Sequence, residues 1–370
     1  MRLGVDAREL QGQVTGTGRY LRNLLREWLR GGDDTIVAYF NGPAPADPVL
    51  DSPRLVARAV GPGGARGLRW EQRVLPAAAR GDALDVFFSP AYTCPLALDV
   101  PRVTTVHDLS FFALPHEFGL LDGLRRRALV KASVRASARV LGQSDFTRRE
   151  LHAWFPEAAD RVRTVPLGPD DDLPPGPPRD AARARLGASG PLLLTVGSIF
   201  NRRCLPELLR AAALLAPRRP GLRLEVVGEN RSHPHLDVEG LVGRLGLDGR
   251  ARVSGFLSDE ALALRYAAAD VAVFLSDYEG FGLGALEAMA RGLPTVVTRA
   301  PAMGEIYAEA ALLVDPRDPQ DVARAVGRVL DDAALRASLI ERGRTLAARF
   351  SWPATAAATR AVLAEAAGKV

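Results

Sequence analysis

The stretch Ser276–Pro294, SDYEGFGLGALEAMARGLP, decides the fold, because it follows DVAVFL (Asp270–Leu275) without a break. DVAVFL is short, apolar and rich in β-formers. LGALEAMAR is built from helix formers with apolar residues at helical spacing, so a strand runs through a glycine turn into a helix. Glu279 then falls on the turn at the strand's carboxyl end, and Glu287 on the helix about one turn in. Open α/β sheets bind ligands at that end, so both carboxylates are expected to face a binding crevice.

The same alternation runs outward in both directions. Strand candidates RLGVD, TIVAYF, DVFFS, RVTTVHD and ARVLGQS precede it, and PLLLTVG, LRLEVVG, ARVSGF and PTVVT flank it, each separated from the next by a longer connecting segment. Such alternation predicts parallel sheets joined by helical crossovers. Between the two series lies PLGPDDDLPPGPPRD (Pro166–Asp180), whose prolines and acid run continue neither strand nor helix, so it reads as a linker. We therefore expect an α/β protein of two doubly wound, Rossmann-like domains with parallel sheets facing across a cleft. The expected bounds are 1–168, a proline-rich linker 169–185, a second domain 186–350, and a closing helix 351–370 that starts at a Ser351 cap and crosses back to the first domain.

A chain of 370 residues exceeds one ordinary core, and 47% hydrophobic content supports globular domains. The formal charge is +5, but lysine occurs only at Lys131 and Lys369 and no basic cluster is interleaved with aromatics, so no nucleic-acid partner is expected. The N-terminal MRLGVDAREL carries charges where a signal peptide needs an apolar core, and no apolar run reaches the length of a spanning helix. A cytoplasmic protein is expected. Cys94 and Cys204 lie in no CxxC and read as reduced thiols. Two lysines rule out a P-loop GxxxxGK, and GxSxG and HExxH are absent. His233 and His235 with Asp237 are the one metal-like grouping, and their position between a strand and a helix makes a surface loop. In GLRRRALVKASVRASAR, Arg127, Lys131, Arg135 and Arg139 recur every fourth residue, a stripe that anionic lipid at the inner face of a membrane could attract.

Two places can meet a phosphate. GTGRYL (Gly16–Leu21) comes ten residues after the first strand ends at Asp6, too far for the tight dinucleotide turn. It reads either as a flexible glycine loop, with the N–H groups of Gly16, Thr17 and Gly18 able to reach a phosphate or sugar, or as a plain connection before a helix. In VGSIFNRRCLPELLRA, Gly197 ends a strand, and Arg202 and Arg203 stand at the next helix start, where the macrodipole and free N–H groups favour an anion. Two guanidiniums bind diphosphate oxygens well, and a carboxylate accepts from vicinal hydroxyls. Together they describe a pocket with diphosphate at one end and hydroxyls at the other.

EGFGLGALEAMARGLPTVVT resembles the E-x7-E signature of retaining GT-B glycosyltransferases of the GT4 type, a family that includes mannosyltransferases. GTGRY, TVHDLSFF, QSDFTRREL, TVPLG, VGSIFNRRCLPELLRA, VVGE, VSGFLSDEALALRYAAADV and LLVDP fall in the order similar proteins carry their counterparts. The resemblance implies that Glu287 holds the ribose hydroxyls of a nucleotide, Glu279 those of the donor sugar, and Arg202 and Arg203 the diphosphate. The backbone around Phe281, Gly282 and Leu283 would meet that diphosphate, His107 would face the sugar, the Gly16–Gly18 loop would close over it, and Phe256 would lie near the base. The implied activity is hexose transfer from a nucleotide diphosphate sugar to a hydroxyl of a saccharide, lipid-linked or small-molecule acceptor. It needs no cofactor beyond the donor substrate and no metal, since the one DxD, Asp170–Asp172, lies in the linker.

The chain departs from the pattern at Cys204, where asparagine is usual after Arg-Lys, at Gly284, where proline or threonine is common, and at Leu167, where asparagine is usual. These departures keep two other functions in view: a catalytically silent nucleotide-sugar-binding partner, and an epimerase of the same architecture.

Overall fold

The computed structural model describes residues 1–14, 16–63, 67–170 and 173–369. Its strands form two all-parallel sheets, one of seven and one of six strands.

The first compact unit comprises Met1–Ala113, Leu121–Leu167 and Ser351–Val370. Its chain runs β1 (Arg2–Asp6), α1 (Gly16–Arg30), β2 (Thr35–Phe40), β3 (Leu55–Ala59), α2 (Leu75–Ala79), β4 (Val86–Ser89), β5 (Arg102–Thr105), α3 (Ser110–Ala113), α4 (Leu120–Ala136), β6 (Arg139–Gly142), α5 (Asp145–Trp154) and β7 (Val162–Thr164). The sheet order is β3-β2-β1-β4-β5-β6-β7.

The second unit comprises Leu114–Leu120 and Gly168–Phe350. It runs α6 (Arg179–Leu186), β8 (Leu192–Val196), α7 (Leu205–Leu215), β9 (Arg223–Val227), α8 (Val238–Arg244), β10 (Ala251–Ser254), α9 (Asp259–Ala268), β11 (Val271–Phe274), α10 (Leu283–Ala290), β12 (Thr295–Thr298), α11 (Pro301–Tyr307), β13 (Leu312–Val314), α12 (Pro319–Asp331) and α13 (Ala333–Ala347). The order β10-β9-β8-β11-β12-β13 reverses direction between β8 and β11. The chain then enters α14 (Trp352–Ala366) in the first unit, where Trp28 Nε1 on α1 donates to the Ala356 carbonyl at 2.9 Å.

The apolar runs are continuous because both faces of each sheet are covered. In the second unit alternate residues go to opposite cores: Leu193, Val271 and Val273 pack with Leu208, Leu209 and Val326, whereas Leu192, Leu194 and Ala272 pack with Tyr266 and Ala268. In the first, Val37, Tyr39 and Phe87 bury against Trp70 and Leu75.

Three expectations change. Gly16, Thr17 and Gly18 are the first turn of α1, not a loop. A Cβ at Gly18 would stand 2.4 Å from the Glu9 carbonyl oxygen, so this glycine lets α1 approach the turn after β1. The predicted linker is packed and partly helical: Arg291 donates to the Leu173 and Pro174 carbonyls, and α6 occupies its C-terminal part, with Arg183 paired to Asp270 at 2.9 Å. Of the DxD only Asp170 lies among the described residues. The basic stripe is not one helix face, since Arg139 belongs to β6 and pairs with Glu365, while Arg135 pairs with Glu157 and Arg127 donates to the Phe111 carbonyl.

Candidate functional site

The sheet of the second unit reverses its strand order between β8 and β11, and the loops leaving these two strands carry the predicted residues. Ligands of open α/β sheets bind at such a point.

After β8, Gly197 adopts φ +136°, a backbone conformation that side chains disfavour. Arg203 fills the space beside it: its Nη1 donates to the Ser198 carbonyl at 3.2 Å and its Nη2 to Glu279 Oε1 at 3.4 Å. Arg202 is more deeply buried, with its guanidinium over the Phe200 ring at 4.3 Å. Cys204 follows in the left-handed region, φ 47°, and begins α7. That conformation suits asparagine better than cysteine.

After β11, the Ser276 hydroxyl donates to the Tyr278 carbonyl at 2.8 Å and accepts from the Tyr278 N–H, which knots the turn. The Asp277 N–H donates to the Arg202 carbonyl at 2.7 Å and ties the two loops together. Gly282, φ +83°, caps α10, and its carbonyl accepts from the Tyr307 hydroxyl at 3.0 Å. Phe281 packs edge-on against Phe350 at 5.7 Å between ring centres. Gly284 is a clearance: a Cβ there would meet the Phe274 ring at 2.7 Å and the Val196 carbonyl oxygen at 3.2 Å. Glu287 is buried on α10. Burial, and then the charges of Glu279 and Glu287, hold the Tyr307 phenol well above its ordinary pKa near 10. Both carboxylates therefore bear on one hydroxyl at the amino end of α10, beside Arg203. The sequence placed both glutamates on the right elements; it missed Ser276, Asp277 and Tyr307, which act through the backbone of the turn.

In the first unit His107 follows β5. Its Nε2 bonds the Pro90 carbonyl at 2.7 Å, its Nδ1 pairs with the Gln143 side-chain amide, and Tyr20 and Tyr92 stand edge-on to its ring. These partners fix the tautomer with the proton on Nε2. Burial lowers its pKa, so the ring is neutral and both nitrogens are engaged. Phe256 lies 61% exposed after β10, the edge strand of the second sheet, open to a stacking ligand. His233 and His235 are exposed on the loop before α8, whose cap is Asp237. Among the described residues no three His, Cys, Asp or Glu converge as metal ligands.

Two doubly wound parallel sheets, the second bearing an arginine turn and an acidic pair at its switch point, define the GT-B class of glycosyltransferase. The chain belongs to the GT4-type glycosyltransferases: residues 179–346 match Glycosyl transferases group 1 and residues 14–173 match Glycosyltransferase Family 4. It is 32% identical over 273 residues to the O-antigen chain mannosyltransferase B of Escherichia coli, covering 72% of this chain and 71% of that one. It spans only 57% and 56% of the length of two further relatives. Among solved structures, a sucrose-phosphate synthase from Thermosynechococcus elongatus superposes with a TM-score of 0.81 at 24% identity, over 99% of both chains. The Anabaena protein HepE in complex with UDP and glucose gives 0.76 at 19%, over 98% of both. At these identities the two structures speak for the fold alone.

Proposed function

We propose that this chain is a retaining, metal-independent hexosyltransferase. It moves a mannose-like or glucose-like hexose from a nucleotide diphosphate sugar to a hydroxyl of a saccharide, lipid-linked or small-molecule acceptor. The observation that carries this is the Arg203–Glu279 pair at the amino end of α10, which sets a cation for phosphate beside a carboxylate for sugar hydroxyls. The naming of the Escherichia coli relative as a mannosyltransferase supports it.

In this reading Glu287 holds the ribose and Phe256 covers the base. The turn that carries Arg202 and Arg203 offers its charge to the diphosphate through Arg203, together with the N–H groups after Gly282. Glu279 orients the sugar. The bond from the anomeric carbon to the phosphate oxygen breaks, the acceptor oxygen bonds the same face, and the acceptor proton passes to the departing phosphate. Arginine charge stabilises that phosphate, so no protein nucleophile and no metal is required.

The test is to incubate the protein with UDP, GDP and ADP hexoses, with acceptors and EDTA, and read product anomeric configuration by NMR. An α-linked product from an α-donor supports the proposal. Binding without turnover would favour the silent partner, and donor isomerisation without acceptor the epimerase.

No described helix is long and apolar enough to cross a membrane. We place the protein in the cytoplasm with peripheral contact at the inner face. Of Arg127, Lys131, Arg135 and Arg139, the last two are ion-paired, which leaves Lys131 and the start of α4 to carry such contact. Absence of flotation with anionic vesicles at low salt would remove it.

A further inference from the structure

The segment Leu114–Leu120, which belongs to the second unit, brings a carboxylate onto the arginine turn. Glu117 is 9% exposed, its Oε2 lies 3.8 Å from Arg202 Nη1, and it accepts a hydrogen bond from the Arg202 backbone N–H. Arg202 is equally buried, sandwiched between this carboxylate and the Phe200 ring, and its carbonyl is taken by the Asp277 N–H. Its neighbour Arg203 keeps 30% of its side chain exposed and donates to Glu279, itself 18% exposed, at 3.4 Å. Adjacent arginines of one turn thus have opposite surroundings. A buried guanidinium with a buried counter-charge has little net positive field left, and pulling it out would strand the carboxylate. A guanidinium that solvent still reaches pays little desolvation to exchange its partner for phosphate.

We propose that Glu117 withdraws Arg202 from the diphosphate, as a positioning residue, so that of the two arginines only Arg203 meets it. This rests on the reading of the site as a nucleoside diphosphate site. The structure gives the reason for the division: Glu117 takes the backbone N–H of Arg202 and balances its buried guanidinium charge from 3.8 Å. Burial raises the Glu117 pKa, opposed by Arg202 and His116 and reinforced by Asp277, as expected of a carboxyl held by one cation.

Calorimetry with UDP, GDP and ADP tests it, using whichever nucleotide the wild-type protein binds. Arg203→Met is expected to weaken binding about tenfold or more, the loss of a charge-assisted bond. The double variant R202M/E117Q removes both buried charges together and is expected to stay within about threefold of wild type. Glu117→Gln alone releases Arg202 toward the anion and is expected to tighten binding, which no merely structural loss would do. The proposal is overturned if R202M/E117Q loses as much as Arg203→Met, if Arg203→Met loses nothing, or if Glu117→Gln weakens binding. The single variant keeps the test decisive should the double variant fail to fold. Failure of wild-type protein to bind any of the three nucleotides would instead sink the underlying site reading.

Discussion

Gly197 and Arg203 share one volume: a Cβ added to Gly197 would stand 2.0 Å from Arg203 Nη1. The glycine is needed twice over, for its φ of +136° and for the guanidinium that crosses it. Gly197→Ala should therefore displace Arg203 and lower nucleoside diphosphate affinity about tenfold, the worth of one charge-assisted hydrogen bond. Calorimetry beside a melting curve separates this from unfolding. Unchanged affinity in a folded variant would show that Arg203 does not need this seat.

Tyr307 fixes the turn from behind. Its buried hydroxyl donates to the Gly282 carbonyl, and Gly282 sets where the free N–H groups of α10 point. Tyr307→Phe keeps the ring and deletes the hydroxyl's bond to Gly282, at about 1 kcal/mol and a fall in melting temperature of about 2–4 °C. Transfer should fall more than this stability loss explains, because the helix end is no longer pinned. A rate equal to wild type would confine Tyr307 to a structural part.

His107 makes a prediction about acid. Its pKa is lowered by burial in the folded state, so the unfolded chain binds a proton more readily. Its contribution to stability is then full above the ordinary value of about 6.5 and is lost as pH falls toward the depressed folded value. Melting between pH 7.5 and 5.5 should drop more steeply in wild type than in His107→Asn, which has nothing to protonate there. Parallel curves would mean that the ring is not held neutral.

The central strands were legible because sheet layers covered on both faces require unbroken apolar runs. The three strands that went unread, β3, β7 and β13, all lie at sheet edges. LVARA of β3 is exposed at four of its five positions, and β7 and β13 have three residues each, too short for a pattern to show. Glu279, Gly282 and Glu287 were legible because one local strand, turn and helix carries all three. Tyr307 and Glu117 reach the same place from other segments, and no local spacing reports a contact that only the folded chain makes. The glycines of Gly16–Gly18 were misread as a loop because a glycine that clears space for a packed helix looks in sequence like one that grants flexibility.

The two glutamates can be given separate work. Glu287 is buried on α10, so its replacement acts on whatever the helix holds, nucleotide and nucleotide sugar alike. Glu287→Gln, which preserves volume, should weaken both by about 1.5–3 kcal/mol, the range for hydrogen bonds to a charged group. Glu279 instead balances Arg203 at 3.4 Å, so Glu279→Ala removes a negative charge next to the phosphate cation. Its free nucleoside diphosphate affinity should hold or rise, while turnover collapses because the anomeric carbon is no longer positioned for attack. Calorimetry with nucleoside diphosphate, set beside transfer rates at saturating donor with EDTA present, reads both roles. Equal loss of nucleotide affinity in the two variants would refute the division, and loss of wild-type activity in EDTA would refute the metal-free mechanism.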